Sequence, residues 1–131
     1  MKNDMKYIVL NKSNVNNIKK MKNSMQLIKG KKLTISEVVQ GLRRFTVSLC
    51  SSRFNHKDIP EEENKQEIKH RLWLNREIKY ELDELRSDWK RRHHRKRLSL
   101  NQVIQNLLMN FNGVGIDSFK LDCEKEKTKI Q

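Results

Sequence analysis

The sequence predicts a mostly helical fold with two short strands, built from two copies of one strand, helix, helix unit in a single chain. Three observations predict it. Leu33-Thr34-Ile35-Ser36-Glu37-Val38-Val39-Gln40-Gly41-Leu42 recurs as Leu98-Ser99-Leu100-Asn101-Gln102-Val103-Ile104-Gln105-Asn106-Leu107, with four identities and close chemical swaps at nearly every other position. Upstream of each copy, apolar residues fall three and four apart: Ile18, Met21 and Met25 in the first, Leu82, Leu85 and Trp89 in the second. Ahead of these stands a short apolar run ending in Leu-Asn-Lys or Leu-Asn-Arg, at residues 7–12 and 71–76. Self-similarity at this level constrains the fold more than local propensity does.

A unit of about 45 residues buries too little surface to be stable alone, whereas two fused units can share one core. The expected organisation is a first unit at 1–49, a linker at 50–67, a second unit at 68–112 and a flexible C-terminal tail at 113–131.

Residues 5–10 read as a short strand bounded by the polar Asn11-Lys12-Ser13-Asn14, and residues 69–74 as its counterpart bounded by Asn75. In the second, alternation puts His70, Leu72 and Leu74 on one side and Lys69, Arg71 and Trp73 on the other. A first helix follows each strand, over about 13–29 and 76–92. Ile78, Leu82, Leu85 and Trp89 form the stripe of the second, with Glu77, Glu81 and Asp83 early and basic residues late, as the helix dipole favours. Gly30 suits the stop of the first.

The second helix opens at Thr34 or Ser36 in one copy and at Ser99 or Asn101 in the other, all residues able to satisfy free amides. Val38, Val39, Leu42 and Phe45 match Val103, Ile104, Leu107 and, after a one-residue slip, Phe111; these form the expected shared core. The connector from Cys50 holds the only proline, Pro60, and the acidic run Glu61-Glu62-Glu63. Beyond Phe111, Gly113 and Gly115 precede a mixed-charge run, and the chain is expected to fray after a short helix or turn near 116–121.

The net charge of +13 is unevenly spread. Residues 1–49 carry 11 basic and 2 acidic side chains and residues 68–112 carry 11 and 5, whereas 50–67 has 3 against 5 and 113–131 has 4 against 4. Solubility alone does not explain basic repeats between non-basic connectors; a polyanionic partner does. Nucleic acid is favoured over a membrane, because no stretch approaches the length of a spanning helix. Cys50 and Cys123 stand in unlike contexts, giving neither a disulfide framework nor zinc spacing. With no secretory apolar region in the four residues 7–10, a cytoplasmic location is expected.

A short strand, a helix of about four turns and a second helix opening on Thr34-Ile35-Ser36-Glu37-Val38-Val39, with Leu42 and Phe45, resembles the ribbon-helix-helix family of DNA-binding proteins, the Arc and MetJ class. Leu72-Trp73-Leu74-Asn75-Arg76-Glu77-Ile78, with Leu82 and Leu85, carries the same likeness in the second copy. The resemblance implies that strands pair into one antiparallel ribbon that enters the major groove, while the amino ends of the second helices hold phosphates. Covering about 5–49 and 68–111, it implies two fused units forming an intramolecular pseudo-dimer, monomeric in solution, with several copies possible along DNA. Such a tandem fusion is similar to the TraY proteins of conjugation. They bind near a plasmid's transfer origin, assist a relaxase within the relaxosome and regulate transfer genes.

Under that resemblance the outward ribbon face contacts bases: Lys69, Arg71 and Trp73 from the second strand and, in the matching register, Met5, Tyr7 and Val9 from the first. Arg71 suits guanine, Lys69 guanine or a phosphate, and Trp73 a thymine methyl. A one-residue slip would bury Trp73, or expose Lys6, Ile8 and Leu10. The first strand offers one hydroxyl and otherwise apolar contact, so base reading is expected to be unequal between halves. Phosphate contacts are expected from Lys31, Lys32, Thr34 and Ser36 in one half. In the other they are expected from Arg91, Arg92, Arg95, Lys96, Arg97, Ser99 and Asn101, reached through the run 90–97.

An enzyme is not expected, since His56, His70, His93 and His94 lack a partner at a telling spacing and Gly113-Val114-Gly115 is too weak for a phosphate loop. No metal or other cofactor is expected. The alternatives are a ribbon-helix-helix repressor, an antitoxin or plasmid-partition adaptor and, more distantly, a basic RNA-binding protein, which the scarcity of exposed aromatics disfavours.

Overall fold

The computed structural model describes residues 4–49, 67–92, 94 and 96–130. The chain runs β1 (Met5–Asn11), α1 (Lys12–Lys29), α2 (Ile35–Leu49), β2 (Lys69–Asn75), α3 (Arg76–Arg92), α4 (Leu100–Asn110), a π-helical turn (Phe111–Gly115) and α5 (Ile116–Ile130). It is mostly helical, with a single two-stranded sheet among the described residues.

The strands pair antiparallel, from Met5 opposite Asn75 through Ile8 opposite Leu72 to Asn11 opposite Lys69. Alternation decides the faces: Ile8, Leu10, Leu72 and Leu74 are buried, while Tyr7, Val9, Arg71 and Trp73 are exposed. Each buried aliphatic side chain contributes about 1.5–3 kcal/mol, so a one-residue slip, which would turn both buried residues of the slipped strand outward, is strongly disfavoured. His70 and Lys6 point to the inner side by alternation but lie at strand starts and stay exposed.

Each strand runs directly into its helix. The α1 amino end is tied down from outside its own segment, with Lys12 N–H donating to the Ile68 carbonyl (2.8 Å) and Ser13 N–H to Glu67 Oε1 (2.7 Å). The latter satisfies an amide left free at a helix start, and places a carboxylate against the positive end of the dipole. Gly30 closes α1 at φ 75°, the left-handed conformation that glycine adopts without cost, with its N–H on the Gln26 carbonyl.

Both second helices open on the same device. Thr34 N–H donates to Glu37 Oε1 and Glu37 N–H to Thr34 Oγ1; likewise Ser99 N–H donates to Gln102 Oε1 and Gln102 N–H to Ser99 Oγ. These are capping boxes, each satisfying two amides reciprocally. Thr34 and Ser99, not Ser36 and Asn101, are therefore the cap residues, because only they stand three before a Glu or Gln.

One core serves the whole described chain. Leu10, Ile18, Met25, Val38, Val39, Leu42, Leu74, Leu82, Ile104, Leu107 and Phe111 are essentially fully enclosed, with Phe45 and Met21 packed partly buried against them. The repeat-derived core residues thus converge, contributed by α1 through α4 and both strands. The connector, with Pro60 and Glu61-Glu62-Glu63, lies outside the described residues apart from Glu67 and Ile68.

Past Phe111 the chain departs from the fraying tail the sequence suggested. Instead of ending near 121, α5 continues to Ile130 and buries Phe119 and Cys123 in the core. Phe119 meets Phe45 edge-on at 5.4 Å between ring centroids and Phe111 at 6.1 Å. The reason is a stripe: Leu107, Phe111, Gly115, Phe119 and Cys123 recur at every fourth position and all are buried. In a plain α-helix each four-residue step overshoots a turn by about 40°, so such a stripe would wind off the core. The wider π turn, closed by Ile116 N–H on the Phe111 carbonyl, winds it back. Gly115 is needed there, since a Cβ would lie 2.8 Å from Phe111 Cδ2.

Candidate nucleic-acid interface

The outward ribbon face is built by alternation and register alone. Tyr7 stands opposite Trp73 and Val9 opposite Arg71, so Tyr7 is the diagonal neighbour of Arg71. The Tyr7 and Trp73 rings meet edge-on, 5.3 Å between centroids at 62°, and the Arg71 guanidinium lies over the Tyr7 ring at 4.7 Å. Tyr7 is 43%, Val9 46% and Trp73 51% exposed, which puts three large apolar surfaces in water beside a cation. That is an unusual use of surface unless something covers it. Lys69 is exposed at the far end of the strand, and Met5 is half-buried at the near end. Arg71 has no carboxylate partner among the described residues.

At the ends of the ribbon, the second helices begin. Lys31 and Lys32 ahead of α2, and Lys96 and Arg97 ahead of α4, are exposed in matching places, each pair followed by a buried leucine, Leu33 or Leu98, that pins the loop. Thr34 is exposed and Ser99 half-buried, both with hydroxyl oxygens already accepting the capping amide. Glu37 is held below its usual value of 4.5 chiefly by the Thr34 backbone N–H, with Lys31 and Lys29 adding positive potential. Arg91 and Arg92 are exposed and share Asp88, at 3.1 and 3.0 Å, as pairs within one helix that salt and solvent readily loosen. Arg95 and His93 lie outside the described residues.

At two of the expected phosphate contacts the side chain is turned away from solvent. Ser36 and Asn101 are both 4% exposed and turn inward. Asn75 N–H donates to Ser36 Oγ (2.8 Å), and Asn11 N–H donates to Asn101 Oδ1 (2.7 Å). Each side chain receives the last amide of a strand whose ladder has ended, a group that would otherwise be orphaned. At Asn101 this grows into a network, with Asn14 Nδ2 donating to its carbonyl and side-chain oxygens (3.2 Å each) and Asn101 Nδ2 donating to Asn11 Oδ1. The Ser36 and Asn101 side chains fix the ribbon to the helices from buried positions.

Sequence reasoning misses the Arg71–Tyr7 stack and the Asn11–Asn14–Asn101 network. Pairing both strands at Ile8 and Leu72 would have given the first. Nothing local signals the second, which joins residues far apart in the chain. His94, which the sequence places only in the basic patch, holds φ 52° where α3 ends, as Gly30 does for α1.

Among the described residues, no group of three or more His, Cys, Asp or Glu side chains gathers as a metal site, and no helix is long and apolar enough to cross a membrane. Compared with known proteins, the chain matches no family model, no curated protein and no solved structure.

Proposed function

We propose that this chain is a double-stranded DNA-binding protein, two fused ribbon-helix-helix units forming a pseudo-dimer within one polypeptide, whose β1–β2 ribbon reads the major groove. One observation carries the reading: Ile8 and Leu72, equivalent positions of the sequence repeat, face each other at the middle of the antiparallel pair. Equivalent residues then fall at equal distances on either side, as two identical chains would place them about a two-fold axis. The paired capping boxes, the paired strand-end clamps at Ser36 and Asn101, and the paired basic loops follow the same relation.

A two-stranded ribbon fits the major groove, and its exposed face offers a guanidinium, an ammonium and aromatic edges to base edges and methyls. The helix starts beside Lys31, Lys32, Lys96 and Arg97 supply backbone-directed positive charge. The narrower reading is a conjugation accessory that binds near a transfer origin with a relaxase and regulates transfer genes. It rests on the similarity of two fused units in one chain, read from the sequence repeat, to the TraY proteins.

Competition binding with duplex DNA and single-stranded RNA tests the proposal, with duplex expected to win. Neutralising Lys31, Lys32, Lys96 and Arg97 is expected to weaken binding to every duplex and to reduce the salt slope by about 0.9 for each phosphate no longer neutralised. Arg71→Ala is expected to cost about 1–3 kcal/mol on a preferred sequence and little on others. Preference for RNA, or an unchanged salt slope, refutes it. Footprinting on a transfer-origin region tests the narrower reading.

A further inference from the structure

The two strands do not offer two separate sets of base-reading groups. Among the described residues of the outward face the only guanidinium comes from β2, and the ring beneath it comes from β1. We propose that Tyr7 is a positioning residue for Arg71, so that the strands together build a single composite subsite for a guanine, flanked on one side by the Trp73 ring. The inference rests on the proposed DNA-reading ribbon and deepens it. It assigns Tyr7, expected from its place on the strand to touch a base itself, to holding the group that does.

The physical need is plain. An arginine side chain has several freely rotating bonds, and fixing it in a groove costs conformational entropy that only a preorganised guanidinium avoids. Arg71 has no carboxylate among the described residues to hold it, and a carboxylate would compete with the guanine acceptors. An aromatic face attracts the cation through its quadrupole, yet uses none of its N–H donors. At 4.7 Å the Tyr7 ring does this while leaving the fork's edge open. Trp73 meets Tyr7 edge-on at 5.3 Å and fixes the ring in turn, so the three side chains form a row across both strands. Fusion in one chain makes this possible. In a symmetric pair of identical chains the position equivalent to Arg71 would hold a second arginine, whereas here it holds Tyr7 itself. Recognition should therefore be one-sided, with a guanine specified off the centre of the site and no mirrored guanine required.

The test selects a preferred duplex from a randomised library with the full chain. It then measures the ratio of affinities for that duplex and for the same duplex with the contacted guanine changed. Arg71→Ala marks that guanine by abolishing the ratio. Tyr7→Leu is expected to lower the ratio about two- to fivefold, the size of an exposed cation–π contact. Tyr7→Phe, which keeps the ring, is expected to restore it. Tyr7→Leu in the Arg71→Ala background should change the ratio no further. In the free protein, the Arg71 Hδ protons should show an upfield ring-current shift that Tyr7→Leu removes.

A role in folding alone would lower affinity for both duplexes equally and leave the ratio intact, which overturns the proposal. Tyr7→Phe as damaging as Tyr7→Leu overturns it too, by making the hydroxyl the contact. Selection of a palindromic site with mirrored guanines has the same result. If the wild-type chain selects no sequence at all, the ribbon reading itself falls; if it selects one and only the Tyr7 arms fail, this inference falls alone.

Discussion

The two repeats share a plan but differ in what closes them. Where β1 ends, Asn11, Asn14 and Asn101 form a buried three-residue network, whereas where β2 ends, Asn75 meets Ser36 through one bond, and Ile78 replaces the second asparagine with an apolar contact. Between α2 and α3, Arg43 and Glu81 stand 3.7 Å apart, an ion pair beyond hydrogen-bond reach. Their equivalents between α4 and α1, Leu108 and Asn17, instead line an open groove of about 310 Å³ with Lys20, Met21, Ser24, Met109 and Asn112. Along α1 there are five lysines and no carboxylate, while α3 carries Glu77, Glu81, Asp83, Glu84 and Asp88, of which Asp83 and Asp88 pair with basic side chains of the same helix. The positions that hold the fold are filled in both halves. Those that face outward have diverged, and so has the buried pair Asn14 and Ile78.

The largest difference is α5, which follows α4 and lies across the first half's Phe45. Phe119→Ala is expected to cost about 3–5 kcal/mol, the range for emptying a buried aromatic site. Denaturant unfolding followed by circular dichroism measures it. A loss under about 0.5 kcal/mol, the usual range for exposed positions, would mean that α5 is an appendage and that the two halves are closed alike.

The strand-end clamps come next. Asn101→Ala removes the partners of the buried Asn11 N–H and Asn11 Oδ1, while Asn14 Nδ2 keeps the backbone carbonyl of residue 101, at about 1–3 kcal/mol for each unsatisfied group. Ser36→Ala strips one bond from Asn75, which water can reach, so about 1 kcal/mol is expected. Equal losses at the two ends would erase the asymmetry.

Much of this architecture was legible in the chain. Alternation at Leu72 and Leu74, the stripe Ile78, Leu82, Leu85 and Trp89, and a Ser or Thr three before Gln or Glu are local patterns, and the elements they specify are present. Ser36 and Asn101 escape such reading because a polar residue in a helix's first turn looks the same whether it faces water or a buried strand end. The tail escapes it because its apolar residues fall at every fourth position. That spacing looks like a decaying stripe unless a π turn is allowed for. As for the site, alternation could place Tyr7, Arg71 and Trp73 outward, but their mutual contact depends on cross-strand register, which single-strand patterns do not contain.

The ends of the two first helices allow a smaller test. Gly30 takes a left-handed backbone freely, while His94 holds φ 52° with a side chain. Gly30→Ala is expected to lose about 1 kcal/mol, because a Cβ is disfavoured there. His94→Gly is expected to gain somewhat less than about 1 kcal/mol, since relief of the backbone is partly offset by a more flexible unfolded chain. Thermal unfolding of the two variants should move in opposite directions; shifts of the same sign would mean that the two stops are not equivalent.

The smallest expected effect separates the two capping boxes by chemistry. Glu37 titrates and its equivalent Gln102 does not. Because the folded protein holds the Glu37 pKa below 4.5, its contribution to stability is fully present above that value and is lost as pH falls through the lower, folded one. Glu37 is exposed, so solvent screening limits this to below about 0.5 kcal/mol. The Thr34 amide proton, which donates to the carboxylate, should shift in NMR spectra as the pH is lowered through this range, while the Ser99 amide proton, which donates to a carboxamide, should not. Glu37→Gln should abolish the Thr34 response and make the first cap behave as the second. A Ser99 response equal to that of Thr34 would show that acid loosens both helix starts through the shared core, and that the carboxylate at Glu37 does not set them apart.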